Sequence, residues 1–377
     1  MKRSLSIKLI TVFILCISLA GCSVLNNYII EKSTQPSTTA EPTTVKYKTN
    51  FTASRIFYNT LDDAGKKAYD NIYGGIMAQN EEFYVSESLE TDDVFDILYY
   101  VLNDNPEIFW TQGEATFSSN GNMSMSYSLT SDEITAKTAA IEAKAEQIMS
   151  EINPAGDDYS RALAVFDYIA DSVVYSNQSE NKGYNPVYTL EGALINSSAV
   201  CSGYTKAYQY LLSLTGIKST LISGESKGDS HAWLMVELDG ERYYSDVTWG
   251  DQTDSETCFP HINHYYFAMN NAQLLKEHNI DKECDLFKCT ASADNYYERE
   301  GLNFTTYDYD AVLNACIDNE NKSAKGYIEF YIDSEEEYKR AVVDLVDKVK
   351  ASDLGEKVLG HKCKSYVESG EGYLVLI

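Results

Sequence analysis

Apolar residues recur at helical spacing through RIFYNTLDDAGKKAYDNIYGGI and again through DDVFDILYYVLNDNPEIFW, where Pro106 ends the run. The stretch ATFSSNGNMSMSYSL changes to strand character and predicts a hairpin around Asn120-Gly121. A helix rich in Ala, Glu and Lys follows from about Ser131 to Ile152, and Pro154-Ala155-Gly156 punctuates the chain. YSRALAVFDYIADSVVY then predicts a strongly amphipathic helix. After residue 201, Tyr204, Ala207, Tyr208, Leu211 and Leu212 share one helical face, and Gly216 is placed to end that helix.

The period switches to two from about Ser219 to Trp249. His231 to Leu238 alternates as a strand, Asp239-Gly240 is a type I′ turn signal, and the return strand is expected from Glu241 to Trp249. HYYFAM predicts a further strand and NAQLLKEH a helical turn. The last region, about Leu302 to Ile377, reads strand, helix, strand (GYIEFYI), helix (SEEEYKRAVVDLVDKVKA) and then strands ending in GYLVLI. This is a small α+β unit for which a ferredoxin-like arrangement is the candidate. The whole divides into 1–21, 22–50, a mostly helical 51–153, a central 154–295 and a C-terminal 296–377.

The chain has 377 residues, 44% of them hydrophobic, enough for two or three domains with real cores. Its net charge of −27 opposes non-specific nucleic-acid binding, which needs a basic face. Thirty tyrosines are read as core packing and compositional bias before any glycan- or peptide-binding role. At the N-terminus Lys2, Arg3 and Lys8 precede the apolar run LITVFILCISL, too short to span a bilayer comfortably. Leu19-Ala20-Gly21-Cys22 resembles a bacterial lipobox. That resemblance implies cleavage before Cys22, a lipid on its sulfur, and a protein held on the extracytoplasmic face of the membrane. The Ser/Thr/Pro-rich residues up to 50 read as a flexible tether.

Six cysteines lie beyond Cys22, so Cys201 is by count equally a packed thiol, half of a disulfide or a nucleophile. Local context favours chemistry. Cys201 heads a helix, whose dipole favours thiolate, and Ser202-Gly203 leaves room for a substrate. Thirty residues on comes His231, and fifteen after that Asp246. With a two-residue loop Trp233 pairs with Asp246, so His231 and Asp246 are diagonal neighbours on one sheet face. An imidazole can take the thiol proton, and a carboxylate on its other nitrogen fixes the tautomer.

The blocks AVCSGYTKAYQYLLSLTGI and SHAWLMVELDGERYYSDVTW, in that order, resemble the transglutaminase-like superfamily, over roughly residues 160–270. The resemblance implies a papain-like α+β core in which a nucleophile helix packs against an antiparallel sheet. It implies Cys201 as nucleophile, His231 as base and acid, Asp246 as the orienting carboxylate, and no cofactor. Trp233 and Trp249 are expected to wall the cleft, and Tyr188 is one candidate for a second oxyanion donor, with core packing as its other reading. The expected activity is acyl transfer from a protein, peptide or cell-wall amide through a Cys201 thioester, to water or to an amine. The competing reading is a surface binding module for glycan or protein ligands, in which the cleft persists without its chemistry.

Other candidates are weaker. Cys258, His261 and His264 are closely spaced, but no fourth metal ligand is near in sequence. Asp251 and Asp254 read as a solvated acidic loop, His278 and His361 as surface residues, and Cys284 and Cys289 as a pair that a short loop could bridge.

Overall fold

The structure is a computed structural model, and it describes residues 54–376 apart from 112–113, 178–182, 253–260, 324, 347–349, 361–362, 364–365 and 369–371. The expected leader, the expected lipidation site Cys22 and the expected tether lie outside these residues, as do Asp254, Cys258 and His361. No described helix is long and apolar enough to cross a membrane.

The N-terminal region runs α1 (Asp63–Met77), β1 (Glu82–Tyr84), α2 (Thr91–Asp104), β2 (Ala115–Phe117), β3 (Asn122–Met125) and α3 (Ser131–Ile152). Asp62 caps α1 through Gly65 N, and Thr130 with Glu133 forms a capping box on α3. The hairpin at Asn120-Gly121 forms as the turn residues suggest, with Gly121 at positive φ. β1 adds to it, giving the order β1-β3-β2.

The central region begins with α4 (Asp158–Ser172), β4 (Val174–Tyr175), α5 (Leu190–Leu194) and β5 (Ser198–Ala199). Then come α6 (Cys201–Leu214), β6 (Ser219–Ser226), β7 (Asp229–Leu238), β8 (Glu241–Ser245), α7 (Val247–Gly250), α8 (Asn271–Leu274) and β9 (His278–Ile280). The main sheet is antiparallel with the order β8-β7-β6-β9. β7 is buried at every position from His231 to Val236, so both its faces are covered. Helix α6 lies against this sheet, fixed by Thr205 Oγ1 donating to Ala232 O at 3.0 Å. Buried Asp104, at the end of α2, joins the N-terminal region to the sheet by accepting from Thr220 Oγ1 at 2.8 Å and from the backbone of Phe57 and Tyr58.

The C-terminal unit contains α9 (Tyr296–Arg299), β10 (Asn303–Phe304), α10 (Tyr309–Ser323), β11 (Ile328–Ile332), α11 (Glu335–Val346), α12 (Lys350–Leu359), β12 (Tyr366–Glu368) and β13 (Tyr373–Leu376). Its sheet order is β10-β11-β13-β12.

Four expectations are corrected. HYYFAM is a 3₁₀ turn at His264–Tyr266 followed by a single bridge, Tyr244 to Met269, because it wraps the end of β8 and does not extend the sheet. The return strand stops at Ser245, where Asp246 leaves the ladder to cap α7. The C-terminal unit has two helices between β11 and its last hairpin, which is not the ferredoxin-like succession. Cys284 and Cys289 are both free and buried: Cys284 Sγ lies 3.1 Å from Tyr99 Oη, while Cys289 packs by Tyr244.

Candidate active site

Cys201 occupies the first position of α6, where backbone N–H groups lack acceptors within the helix. Glycine at 203 is required there. A Cβ would meet Val187 O at 2.5 Å and Ala199 Cβ at 2.7 Å, so the strand-like approach to the helix packs directly on its first turn. Ser202 Oγ adds a bond to Tyr188 O at 3.2 Å. Tyr188 is buried, and its carbonyl thus holds the head of α6.

The hairpin register runs as the two-residue turn dictates, from Leu238↔Glu241 to Leu234↔Ser245. Asp239 and Gly240 both take positive φ, the type I′ signature. The residue just after β8 is Asp246, and it is wholly buried. Its Oδ1 accepts from Thr248 N and Trp249 N, each at 3.0 Å. Its Oδ2 lies 2.6 Å from His231 Nε2 and 3.0 Å from His278 Nε2. Burial pushes the Asp246 carboxyl up, but the charge of His231 and the bonds from both histidines outweigh it and hold the group well below the usual carboxylate range. Because a carboxylate only accepts, Nε2 of His231 carries a hydrogen. Nδ1 is then the nitrogen left to exchange a proton with a thiol.

Cys201 is disulfide-bonded. Its partner is none of the other described cysteines, since Cys284, Cys289, Cys316 and Cys363 are free. Of the three roles open to this residue, the structure therefore holds the oxidised one. A sulfur in a disulfide is not a nucleophile, so thiolate chemistry here begins with reduction. The position that favours thiolate is also the one from which a thiol exchanges readily.

The tryptophans divide. Trp233 is fully buried beneath the site, 6.0 Å from the His231 ring and 4.9 Å from that of His278. The expectation that it walls a cleft is corrected: strand alternation gives its face, and the cover on that face is complete. Trp249 is half-buried on the edge of the site, 6.0 Å from His231, with Lys227 Nζ 4.0 Å over its ring.

His278 is the residue the sequence hides. It was expected on the surface and is 2% exposed. It stands 32 residues after Asp246, on a three-residue strand with no alternation to reveal it. His231, Asp246 and His278 are also the described residues that place three metal-ligating atoms within 4.8 Å of one another. Two ligands on a tetrahedral zinc stand about 3.3 Å apart, from bond lengths of about 2.0–2.1 Å. The 2.6 and 3.0 Å separations here are hydrogen-bond lengths. His264, once a metal candidate, is committed elsewhere: its nitrogens lie 2.7 Å from Glu329 and 2.8 Å from Asp167.

A cysteine-headed helix packed on an antiparallel sheet, with a histidine–aspartate pair carried by a hairpin, defines a papain-like α+β class. Within it, residues 144–246 match the model of the transglutaminase-like superfamily, and this region of the chain is transglutaminase-like. No curated protein matches the chain. Among solved structures it is similar to a candidate cysteine protease from Cytophaga hutchinsonii, at 20% identity over 29% of this chain and 37% of that one, with a TM-score of 0.26. It is also similar to a TGase, at 16% identity over 36% and 42%, TM-score 0.28. A candidate protease from Parabacteroides distasonis matches at 11% identity over 33% and 28%, TM-score 0.23. The chain thus spans less than half the length of each of these proteins.

Proposed function

We propose that the protein is a lipid-anchored extracytoplasmic cysteine enzyme that breaks amide bonds through a thioester on Cys201. The observation that carries this reading is the 2.6 Å contact between His231 Nε2 and buried Asp246, presented beside the helix that Cys201 heads. Once a dithiol reductant has opened the disulfide by thiol–disulfide exchange, leaving Cys201 as a thiol and the reductant as its own disulfide, Cys201 gives its proton to His231 Nδ1. The thiolate then attacks the amide carbonyl. The C–N bond breaks as His231 returns the proton to the leaving amine. Water, deprotonated by His231, or an amine then releases the acyl group and restores the thiol. Asp246 holds the ring and balances its charge throughout. The anchor at Cys22 sets the protein beside peptide or cell-wall amides, where water is the abundant acceptor, which favours hydrolysis over transamidation.

The test is alkylation of the reduced protein by iodoacetamide across about pH 5 to 9, read at the Cys201 peptide by mass spectrometry. Burial pushes the Cys284 thiol up to about 11 and the Cys289 thiol up to about 12, so these two do not compete for the reagent near neutral pH. Cys201 should label well below the ordinary thiol pKa of about 8.5. His231→Ala and Asp246→Ala should each slow it on the order of tenfold or more. Labelling as slow as an ordinary thiol, and indifferent to His231, would leave a binding module as the better reading.

A further inference from the structure

The two histidines on Asp246 Oδ2 come from β7 and β9, the two strands that flank β6. In the sheet, Gly224 of β6 pairs with His231 of β7, and Ser226, two residues on, pairs with His278 of β9. Residues 224 and 226 share a face, so the two imidazoles stand on one face of three adjacent strands. A Cβ at residue 224 would meet Asn279 O at 1.9 Å and the tip of the Trp233 ring at 2.8 Å. Glycine there lets Trp233 lie under both rings. Asp246, just leaving β8, places one carboxylate oxygen against both.

From this juxtaposition we infer that His278 is a positioning residue for the proposed triad: its Nε2–H fixes the Asp246 carboxylate so that Oδ2 meets His231 in one orientation only. The inference rests on the triad reading above. The carboxylate is saturated by it. Oδ1 is held by two backbone N–H groups, and Oδ2 by one imidazole from each side. Without His278, Oδ2 would keep a single partner in a fully buried site. The carboxylate could then pivot about its bonds to Thr248 and Trp249, and the ring of His231 would swing with it. His278 is itself anchored: with a hydrogen on each ring nitrogen, as two acceptor-only partners require, Nδ1–H donates to Leu274 O at 3.3 Å at the end of α8 while Nε2–H donates to Asp246. Its two nitrogens therefore serve two different structures, and the two can be tested apart.

Glutamine at 278 carries its amide nitrogen where Nε2 stands, and asparagine carries its amide nitrogen where Nδ1 stands. Each keeps one contact and gives up the other. With the full chain, reduced, we would measure iodoacetamide alkylation of Cys201 in wild type, His278→Leu, His278→Gln, His278→Asn and His231→Ala, alongside urea denaturation of each. His278→Leu should slow alkylation on the order of tenfold to a hundredfold, the range that misplacement of a reacting group costs. His278→Gln should stay within about threefold of wild type, and His278→Asn should be as slow as His278→Leu. Rescue by asparagine and not by glutamine would overturn the inference, because it would put the role in the anchor at Leu274. So would a His278→Leu protein that alkylates like wild type. If His278→Leu does not fold, the contrast between glutamine and asparagine still decides. If His231→Ala itself alkylates at the wild-type rate, the triad reading fails; if His231→Ala is slow and glutamine does not rescue, only the role of His278 falls.

Discussion

Gly203 shows how tightly one residue can control the head of α6. A methyl group there would press on Val187 O and Ala199, so Gly203→Ala must move either the helix or the segment before it. Overpacking of this kind costs about 1–3 kcal/mol. We expect Gly203→Ala to lose that much in urea denaturation and to slow Cys201 alkylation, since the residue that moves is two positions from the sulfur. Cys201 makes the second prediction at this scale. Unreduced protein should show no iodoacetamide label on the Cys201 peptide, and full labelling should return after dithiothreitol. The sequence made Cys201, His231 and Asp246 candidates because residue type, order and strand parity all bear on them. It missed His278 because its part depends on a pairing of β9 with β6, and no local pattern encodes that pairing.

At the scale of elements, the hairpin was the most legible part of the chain. Asp239-Gly240 specifies a type I′ turn, and a two-residue turn admits one register, so the placement of Asp246 near His231 followed from counting. What counting could not supply was depth. The alternation puts His231 and Trp233 on one face, and only the covering elements make Trp233 a floor instead of a wall. The end of β8 was also hidden, because an aspartate reads equally as a strand residue or as a helix cap. The turn itself is far from the site. Gly240 sits at φ +91°, where a side chain costs about 1–2 kcal/mol. Gly240→Val should therefore lower stability by roughly that amount in urea while leaving the alkylation rate of reduced Cys201 unchanged.

The whole molecule is tied together by buried charge. His264, fully buried, lies between Asp167 of α4 and Glu329 of β11, stacked 4.2 Å from the Tyr296 ring. Lys325 Nζ reaches Glu329 at 3.0 Å and also bonds Tyr296 Oη. Burial pushes His264 down and Lys325 opposes its charge, yet Glu329 and Asp167 prevail and its pKa is raised. For a group raised in the folded state, the stability it adds is complete below the unfolded value of about 6.5 and fades as pH rises through the folded one. Removing one partner of a buried pair costs about 3–5 kcal/mol. His264→Gln should lose on that order near pH 6 by urea denaturation, with the gap to wild type narrowing as the buffer becomes alkaline. A constant gap would mean that packing against Tyr296, not charge, is what His264 supplies. None of this was readable from HINHYY or GYIEFYI, since a glutamate in an apolar strand announces nothing about a histidine 65 residues earlier.

That four-sided knot of Asp167, His264, Lys325 and Glu329 has a consequence for anyone rearranging the chain. Cut away after α9, the last fifth of the chain would not leave like a detachable module. It would strand His264 against one acid instead of two, with the floor of its cage open to water. A chimera that borrows another C-terminal unit would need to bring the lysine and glutamate with it, or replace all four charges at once with apolar side chains. The portable unit for recombination is thus set by where the charges close, and that boundary falls well beyond the region that resembles other proteins.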